Sequence, residues 1–275
     1  MGSPCEVLTD GGDQQLADRV SSVVATEAWR IEDKYSRYLD GNVIHRINSS
    51  QGEPVEIDAE SGNLLDFAAT LFQISGGRFD ITSGVLRAAW TFDGSDNIPS
   101  QAEIDTLLNR VGWQRVTWAD SRLTLQPGME VDLGGIGKEY AVDRCTALAR
   151  AAADVPAMIN FGGDLAVTGP PLTRETWKVG IEGPTVDAAE KLVNLRQGAL
   201  ATSGDARRFL LCDGVRYSHI LDPRTGWPVP DAPSSITVAA DTCTQAGMMS
   251  TLAMLRGAEA EAFLAAQALL YWCRP

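Results

Sequence analysis

Hydrophobic residues near the start of the chain recur at helical spacing. A short apolar run over residues 4–9 is typical of a strand, and the apolar positions after it follow intervals of three to four residues. These positions predict one long amphipathic helix, and they are Leu16, Val20, Val23, Val24, Ile31 and Tyr35. A second helix is predicted over Asn63–Ile74, where the pair Gly76-Gly77 ends it.

The middle of the chain is rich in short apolar runs. Residues 116–118 and 123–125 flank a polar turn and predict a β-hairpin. An Ala-rich helix is predicted over 139–152. The strands predicted after this helix are Met158–Phe161, Leu165–Thr168, Trp177–Ile181, Leu192–Leu195, Leu200–Thr202, Arg208–Cys212 and Ile236–Ala239.

The order of these elements predicts the fold class. Ser100 and Glu103 form a capping box before a short helix, and two helices, roughly 244–255 and 258–269, close the chain. Helices, then strands, then helices favour an α+β fold over a regular βαβ repeat. We therefore expect a mixed or antiparallel sheet core packed by helices. No linker or internal repeat interrupts the sequence, which predicts a single domain over residues 1–275.

Composition narrows the classes of partner. The 275 residues carry a formal net charge of −13, so nucleic acid and anionic membranes should repel the protein. An anionic ligand would need local positive groups or a divalent cation. No apolar run approaches the ~20 residues that span a bilayer, and no export segment is recognisable. We expect a cytoplasmic protein, or a periplasmic one if a leader has been removed.

The cysteines do not indicate a metal or disulfide framework. All five are widely scattered and none forms a CxxC pair. Reduced thiols that pack as small apolar side chains are the simpler interpretation.

The run from Val131 to Lys138 is the most informative segment. A short apolar strand is predicted to lead through Gly134, Gly135 and Gly137 into the helix that begins near Glu139. Such a turn lets a bulky group approach the backbone and leaves amides free near a helix start. The run matches neither GxGxxG nor a P-loop, so a tight turn with no ligand is the alternative interpretation.

Three further polar turns follow, at 160–164, 203–205 and 219–226. Together with the first, they suggest loops that converge on a phosphate-bearing ligand. His219 lies beside the last turn, where it is either a general base or a structural residue. Arg207-Arg208 either pairs with phosphates or forms an ordinary ion pair.

Two other segments allow both a structural and a functional interpretation. Asp80 lies between apolar residues in Phe79–Gly84, so its carboxylate either forms a turn or accepts hydrogen bonds from a flavin or purine edge. The helix start Thr244–Thr251 is rich in small and hydroxyl side chains. It is either a buried helix end or a surface that faces an anion or a metal.

In this order, the segments resemble the ApbE-type flavin transferases, the FAD:protein FMN transferases. The resemblance spans nearly the whole chain. The segments that carry it are Met1-Gly2-Ser3, the Tyr38 segment through Arg46-Ile47-Asn48, Gly77–Thr82, Val131–Lys138 with Tyr140–Arg144, Ile159–Leu165, Ala201–Asp205 and Tyr217–Gly226.

The resemblance implies an enzyme that cleaves the pyrophosphate of FAD. FMN would pass to a Thr or Ser hydroxyl of an acceptor flavoprotein, AMP would leave, and Mg²⁺ would assist. It implies His219 as the general base, and a metal site with the backbone carbonyl of Gly135 and the side chain of Thr251. The implied flavin-dinucleotide contacts are Met1, Tyr38, Arg78, Phe79, Asp80, Asp132, Lys138 and Leu221.

One departure from the family pattern concerns the metal. An Asp is expected four residues before Thr251, but the chain has Gly247 there, and Gly137 and Glu139 replace the commoner Ala and Gly around Lys138. Loss of a carboxylate should weaken Mg²⁺ binding. The residues expected to compensate are Ser250, Gln245, Thr244 or Asp241. The alternatives are a branch with a different metal site, a hydrolase that releases FMN and AMP, or a non-catalytic FAD-binding protein.

Overall fold

A computed structural model describes residues 3–182, 189–204 and 209–275 of the chain. The α-helices in these ranges are α1 (Gln14–Tyr35), α2 (Val43–Asn48), α3 (Ala59–Ile74), α4 (Gln101–Leu108), α5 (Gly137–Ala152), α6 (Cys243–Met254) and α7 (Ala260–Ala265). Short 3₁₀ helices cover Ile81–Ala88, Trp113–Arg115 and Gly257–Glu259. No helix in the described ranges is both long and apolar enough to cross a membrane.

Strands dominate the second half of the chain. They are β1 (Cys5–Thr9), β2 (Val55–Glu56), β3 (Thr117–Ala119), β4 (Arg122–Thr124), β5 (Ala157–Phe161), β6 (Asp164–Val167), β7 (Trp177–Glu182), β8 (Ala189–Leu195), β9 (Ala199–Gly204), β10 (Phe209–Cys212), β11 (Val215–Ser218), β12 (Ser235–Ala240) and β13 (Leu270–Arg274). Within the described ranges, the largest sheet has six strands in the order β1-β5-β6-β9-β12-β13, and every neighbouring pair is antiparallel.

The register of this sheet places two polar turns at one end. Phe161 pairs with Asp164 across the β5–β6 turn, while Leu165 pairs with Leu200 on β9. The β5–β6 turn and the end of β9 therefore lie side by side. Helix α6 follows β12 at the opposite end of the sheet and runs back across it, because β12 is antiparallel to β9. Its later turns reach the same end as the two polar turns.

Helices α1 and α5 cover the sheet, and buried apolar side chains fill the space between them. Val20, Val24 and Ile31 of α1 and Val142 of α5 are at most 2% exposed. Asp143 on α5 accepts hydrogen bonds from the first amides of α6, at 2.7 Å from Cys243 N and 2.8 Å from Thr244 N. A carboxylate at a helix N-terminus is favourable, so this contact fixes α6 against α5.

Most predicted elements are present, and two predictions are wrong. The α+β fold, the long first helix, the Ser100–Glu103 capping box and the hairpin are confirmed. Residues 131–133 form no strand in the described structure, since the Asp132 amide donates to the Ile81 carbonyl instead of joining a sheet. Helix α2, which Asn42 caps, was not predicted. The last predicted helix ends early, and β13 follows it.

An ion-pair network joins three helices at Glu60. Its carboxylate accepts hydrogen bonds from Arg30 and Lys34 of α1, each at 2.7 Å, and from Tyr140 Oη of α5 at 2.7 Å. Arg30 is the largest cause that holds the pKa of Glu60 well below its usual 4.5, with Lys34 and Tyr140 adding to it and burial opposing it. The network links α1, α3 and α5, the helices next to whose ends the polar site described below lies.

This network yields a stability prediction. We expect Glu60→Gln to lower the free energy of unfolding by about 1–2 kcal/mol at pH 7, because two cations lose a charged acceptor that is partly exposed. The folded-state pKa is depressed, so the contribution is complete above the ordinary value of 4.5 and shrinks as the pH falls below it. Urea unfolding at pH 7 and pH 3.5 measures this change in the free energy of unfolding. The exposed Glu53→Gln is the control and should change little; an equal loss at both pH values for Glu60→Gln would contradict the account.

Candidate active site

Three of the four polar turns meet at Asp164. Lys138, at the start of α5, places Nζ 2.7 Å from Asp164 Oδ2, and the Asp164 side chain is only 3% exposed. The amide of Thr202 on β9 donates to Asp164 Oδ1 at 2.9 Å. Burial lowers the pKa of Lys138, but the charge of Asp164 outweighs it and leaves the pKa raised. Lys138 is therefore a fixed cation between the glycine turn and the sheet.

Arg37 joins the Tyr38 segment to the first glycine turn. Its guanidinium pairs with the Asp132 carboxylate and donates to Tyr38 Oη at 2.7 Å. Asp132 Oδ1 also accepts from the Gly134 amide at 2.9 Å, which closes the turn. The Tyr38 side chain is largely exposed, with Arg37 over its ring at 4.8 Å from the centroid. An aromatic face and a cation thus stand together beside the turn.

Phe79 packs against the first glycine turn, and Asp80 holds the backbone of the segment that carries Phe79. A Cβ at Gly135 would lie 3.2 Å from Phe79 Cε2, so the ring packs tightly against the glycine backbone. Asp80 is buried and accepts from the Thr82 amide and hydroxyl, at 2.8 and 2.7 Å, and from the Trp113 amide at 2.9 Å. Burial raises the pKa of Asp80, and these hydrogen bonds partly offset the rise. They are the bonds of a turn-forming carboxylate.

The fourth turn is held by Asp222 and reaches the site through Arg78. Asp222 Oδ2 lies 2.5 Å from Arg224 Nη2, and its Oδ1 accepts from the Arg224 amide at 2.9 Å. Burial raises the pKa of Asp222, but Arg224 and then Arg78 outweigh it and leave the pKa lowered. Arg78 therefore lies near this turn, and its neighbour Phe79 contacts the glycine turn. The fourth turn thus interacts electrostatically with the segment that packs against the glycine turn.

His219 is half-buried beside this turn, next to an aromatic cluster. Its ring meets Phe92 edge to face, with centroids 6.2 Å apart. Phe92 stacks on Trp90, whose indole donates to the Gly226 carbonyl at 2.8 Å. Leu221 packs against the same cluster and bridges to Pro228. The aromatic cluster fixes the backbone that carries His219.

Oxygen donors lie at the edge of the junction. Thr251 Oγ1 is 3.0 Å from Ser203 Oγ, which is also 2.8 Å from Ser250 Oγ. Glu139 is 8% exposed, and its Oε2 has no hydrogen-bond partner in the structure. Burial, then the charge of Asp164, raises the pKa of Glu139 to about 8, against the opposing effect of Lys138.

This donor set suits a hard cation. No group of three or more His, Cys, Asp or Glu side chains in the described ranges could hold a metal. Mg²⁺, however, takes few protein ligands and prefers oxygen, including hydroxyls and backbone carbonyls. Thr251, the Gly135 carbonyl and the unpartnered Glu139 oxygen supply such donors, so the residues present fit the ion.

Several predicted site residues are thus linked by contacts. Tyr38 contacts Arg37, which pairs with Asp132, Phe79 packs against Gly135, and Lys138 pairs with Asp164. The ring contact described for His219 is with Phe92 of the aromatic cluster. Met1, Asp205, Arg207 and Arg208 lie outside the described residues. Surface depressions of about 370 and 550 Å³, beside Arg122 and beside Trp272, contain none of the predicted site residues.

Sequence reasoning missed three members of the site. Arg37 could have been noticed because it directly precedes Tyr38, and Asp164 because it ends a glycine turn. Glu139 could have been noticed because it is an acid at an unusual position beside Lys138. Their partners lie at least 26 residues away along the chain, which no local pattern reports.

Comparison with known proteins identifies the family of the chain. The model of the ApbE family matches residues 1–271. A FAD:protein FMN transferase of Vibrio cholerae is 29% identical, covering 83% of this chain and 71% of the relative, and that of Salmonella typhimurium is 28% identical, covering 94% and 77%. The crystal structure of the ApbE protein from Thermotoga maritima is 30% identical with a TM-score of 0.85, covering 98% of this chain and 94% of its own.

The fold and the connected turns define an α+β protein with a polar, glycine-lined site at one end of an antiparallel sheet. With a family match over nearly its whole length, the chain belongs to the ApbE family. The family resemblance inferred from the sequence is confirmed, and the transferase names of the relatives support the prediction of an enzyme.

The Lys138–Asp164 pair yields a second prediction. A double-mutant cycle with Lys138→Met and Asp164→Asn should show a coupling free energy of about 1–3 kcal/mol, because Asp164 is buried and loses its counter-charge in the single variant. Urea unfolding measures the four proteins. The exposed pair Arg122–Glu56, at 3.2 Å, is the control and should couple by less than about 1 kcal/mol. Additive effects at Lys138 and Asp164 would contradict the junction.

Proposed function

We propose that the protein is a FAD:protein FMN transferase, with one catalytic domain over residues 1–275. The observation that carries the proposal is the junction at Asp164, where Lys138, the glycine turn and β9 meet. This junction occurs in a chain whose relatives from Vibrio cholerae and Salmonella typhimurium are named for that activity. A fixed cation beside the glycine turn suits a pyrophosphate.

The proposed reaction forms one bond and breaks one bond at the phosphorus of the FMN half of FAD. The hydroxyl oxygen of a Thr or Ser on an acceptor flavoprotein forms a bond to the phosphorus of the FMN half of FAD. The bond from that phosphorus to the bridging oxygen breaks, and AMP leaves with its electron pair. The hydroxyl proton passes to a base, and His219 is proposed as that base, since a hydroxyl is a weak nucleophile until deprotonated.

The contacts to FAD are proposed from the family resemblance, with support from the site geometry for Lys138 and Tyr38. Lys138 would face the pyrophosphate, where its charge offsets the negative charge that develops on the phosphoryl oxygens. The exposed Tyr38 ring beside Arg37 offers a stacking face. The remaining proposed contacts are Met1, Arg78, Phe79, Asp80, Asp132 and Leu221.

Mg²⁺ is proposed as the metal, held by the Gly135 carbonyl and the Thr251 hydroxyl. When bound, the ion would neutralise phosphate charge and polarise the phosphoryl group. The chain itself contributes the positions of these donors: Phe79 packs under Gly135, and Ser203 holds Thr251 at 3.0 Å.

The activity prediction concerns His219. Incubation with FAD, Mg²⁺ and an acceptor flavoprotein should give an adduct one FMN heavier, measured by mass spectrometry. His219→Ala should lower kcat by about 10²–10⁴-fold, the usual contribution of a general base, with FAD binding retained. His45→Ala, on α2, is the control and should keep kcat.

The same assay separates the alternatives. AMP release at the full rate without acceptor would favour a hydrolase that uses water as nucleophile. FAD binding without either product would favour a non-catalytic binder. Failure of every acceptor, with an active relative as positive control, would contradict transfer.

A further inference from the structure

We infer that Glu139 on α5 supplies the carboxylate oxygen of the magnesium site, across the helix interface from Gly247 on α6. The inference rests on the proposed function, because it concerns the same metal. It gives a role to a buried acid that the proposed transfer chemistry does not use.

The two helices interlock at Gly247. A Cβ built on Gly247 would lie 2.5 Å from Glu139 Cγ, 2.9 Å from Oε1 and 3.0 Å from Cδ. The Glu139 side chain therefore fills the space that any larger residue at position 247 would need. It places its carboxylate where a short side chain on α6 would carry one. This accounts together for the two unusual residues noted in the sequence, Glu139 and Gly247.

The carboxylate stands next to the other oxygen donors. Gly247 and Thr251 are four residues apart on α6, so they lie one above the other on the same helix face. Glu139 contacts the Gly247 position, and Cβ atoms four residues apart on a helix are roughly 5–6 Å from each other. Side chains at two such positions can extend toward one ion, as the family's Asp and Thr pattern implies, so a carboxylate placed at Gly247 stands beside the Thr251 hydroxyl. Gly135, whose carbonyl completes the set, is four residues before Glu139.

The buried Glu139 carboxylate has an oxygen that a cation could bind. Glu139 is only 8% exposed, and its Oε2 has no hydrogen-bond partner in the structure. A buried polar atom without a partner costs free energy, and the cost is large for a charge. Lys138 lies next in sequence, but its ammonium is engaged with Asp164 at 2.7 Å. A divalent cation would satisfy the oxygen that protein groups leave unpaired.

The substitutes expected from the sequence are less suited. Ser250 is fully buried and donates to the Gly247 carbonyl at 3.0 Å, in addition to its contact with Ser203. Asp241 is exposed, before the start of α6. Neither combines a carboxyl group with a buried, unpartnered oxygen. Glu139 does.

The test measures Mn²⁺ binding to the full chain with FAD, using the paramagnetic resonance signal of free Mn²⁺. Mn²⁺ is the probe because it accepts the oxygen ligands of Mg²⁺. Glu139→Gln should weaken Mn²⁺ binding by at least about tenfold, since a hard cation loses its charged ligand. Glu261→Gln on α7 is the control and should bind as the unaltered protein does.

Exchanging Glu139 and the Gly247 position between the two helices distinguishes loss of the metal ligand from loss of folding. Gly247→Asp alone should weaken binding, because the new side chain collides with Glu139. The double variant Glu139→Gly with Gly247→Asp removes the collision and returns a carboxylate from α6. It should bind Mn²⁺ within about threefold of the unaltered protein, while Glu139→Gly alone should bind at least about tenfold more weakly.

Unchanged Mn²⁺ affinity in a folded Glu139→Gln protein would overturn the inference, as would a double variant no better than Glu139→Gly. FMN transfer by the unaltered protein in that case would leave the proposed function standing. Conversely, loss of Mn²⁺ binding in Glu139→Gln, with no transfer by the unaltered protein to any acceptor, would support the metal site and count against the transferase.

Discussion

The ion pair between Lys138 and the buried Asp164 is the constraint on which the site depends. It joins the first turn of α5 to the β5–β6 turn, and Asp164 also holds the amide of Thr202 on β9. Three segments far apart in the sequence are thereby fixed at one point at the end of the sheet. The glycine turn, the hydroxyls on α6 and the Arg37–Asp132 pair are arranged around that point.

Each cation of the site lies near an acid. Lys138 pairs with Asp164 and Arg37 pairs with Asp132, while Arg78 acts on Asp222. The protein carries a net charge of −13, so these paired cations offer little uncompensated positive charge to an anion. A pyrophosphate would therefore need a divalent cation as well, which explains why oxygen donors beside the junction matter to the proposed chemistry.

The sequence predicted the fold class and most helices because these depend on local spacing. The Ser100–Glu103 capping box and the long apolar stripe of α1 are examples. It also predicted that the polar turns converge, and contacts at Asp164 bring together three of the four. The pairing of residues across the interface was not predictable, since Glu139 is 108 positions before Gly247 and only packing of α5 on α6 brings them together. Strand β13 was missed because a short apolar run after α7 fits a helix end as well.

Hydrogen–deuterium exchange with and without FAD and Mg²⁺ tests the central claim most directly. If one ligand occupies the junction, the amides of 37–38, 78–80, 132–138, 160–164 and 219–226 should all gain protection together. The hairpin β7–β8, whose residues are absent from the site, should be unchanged. Protection confined to a single turn, or none in any of them, would contradict a shared site built around Lys138 and Asp164.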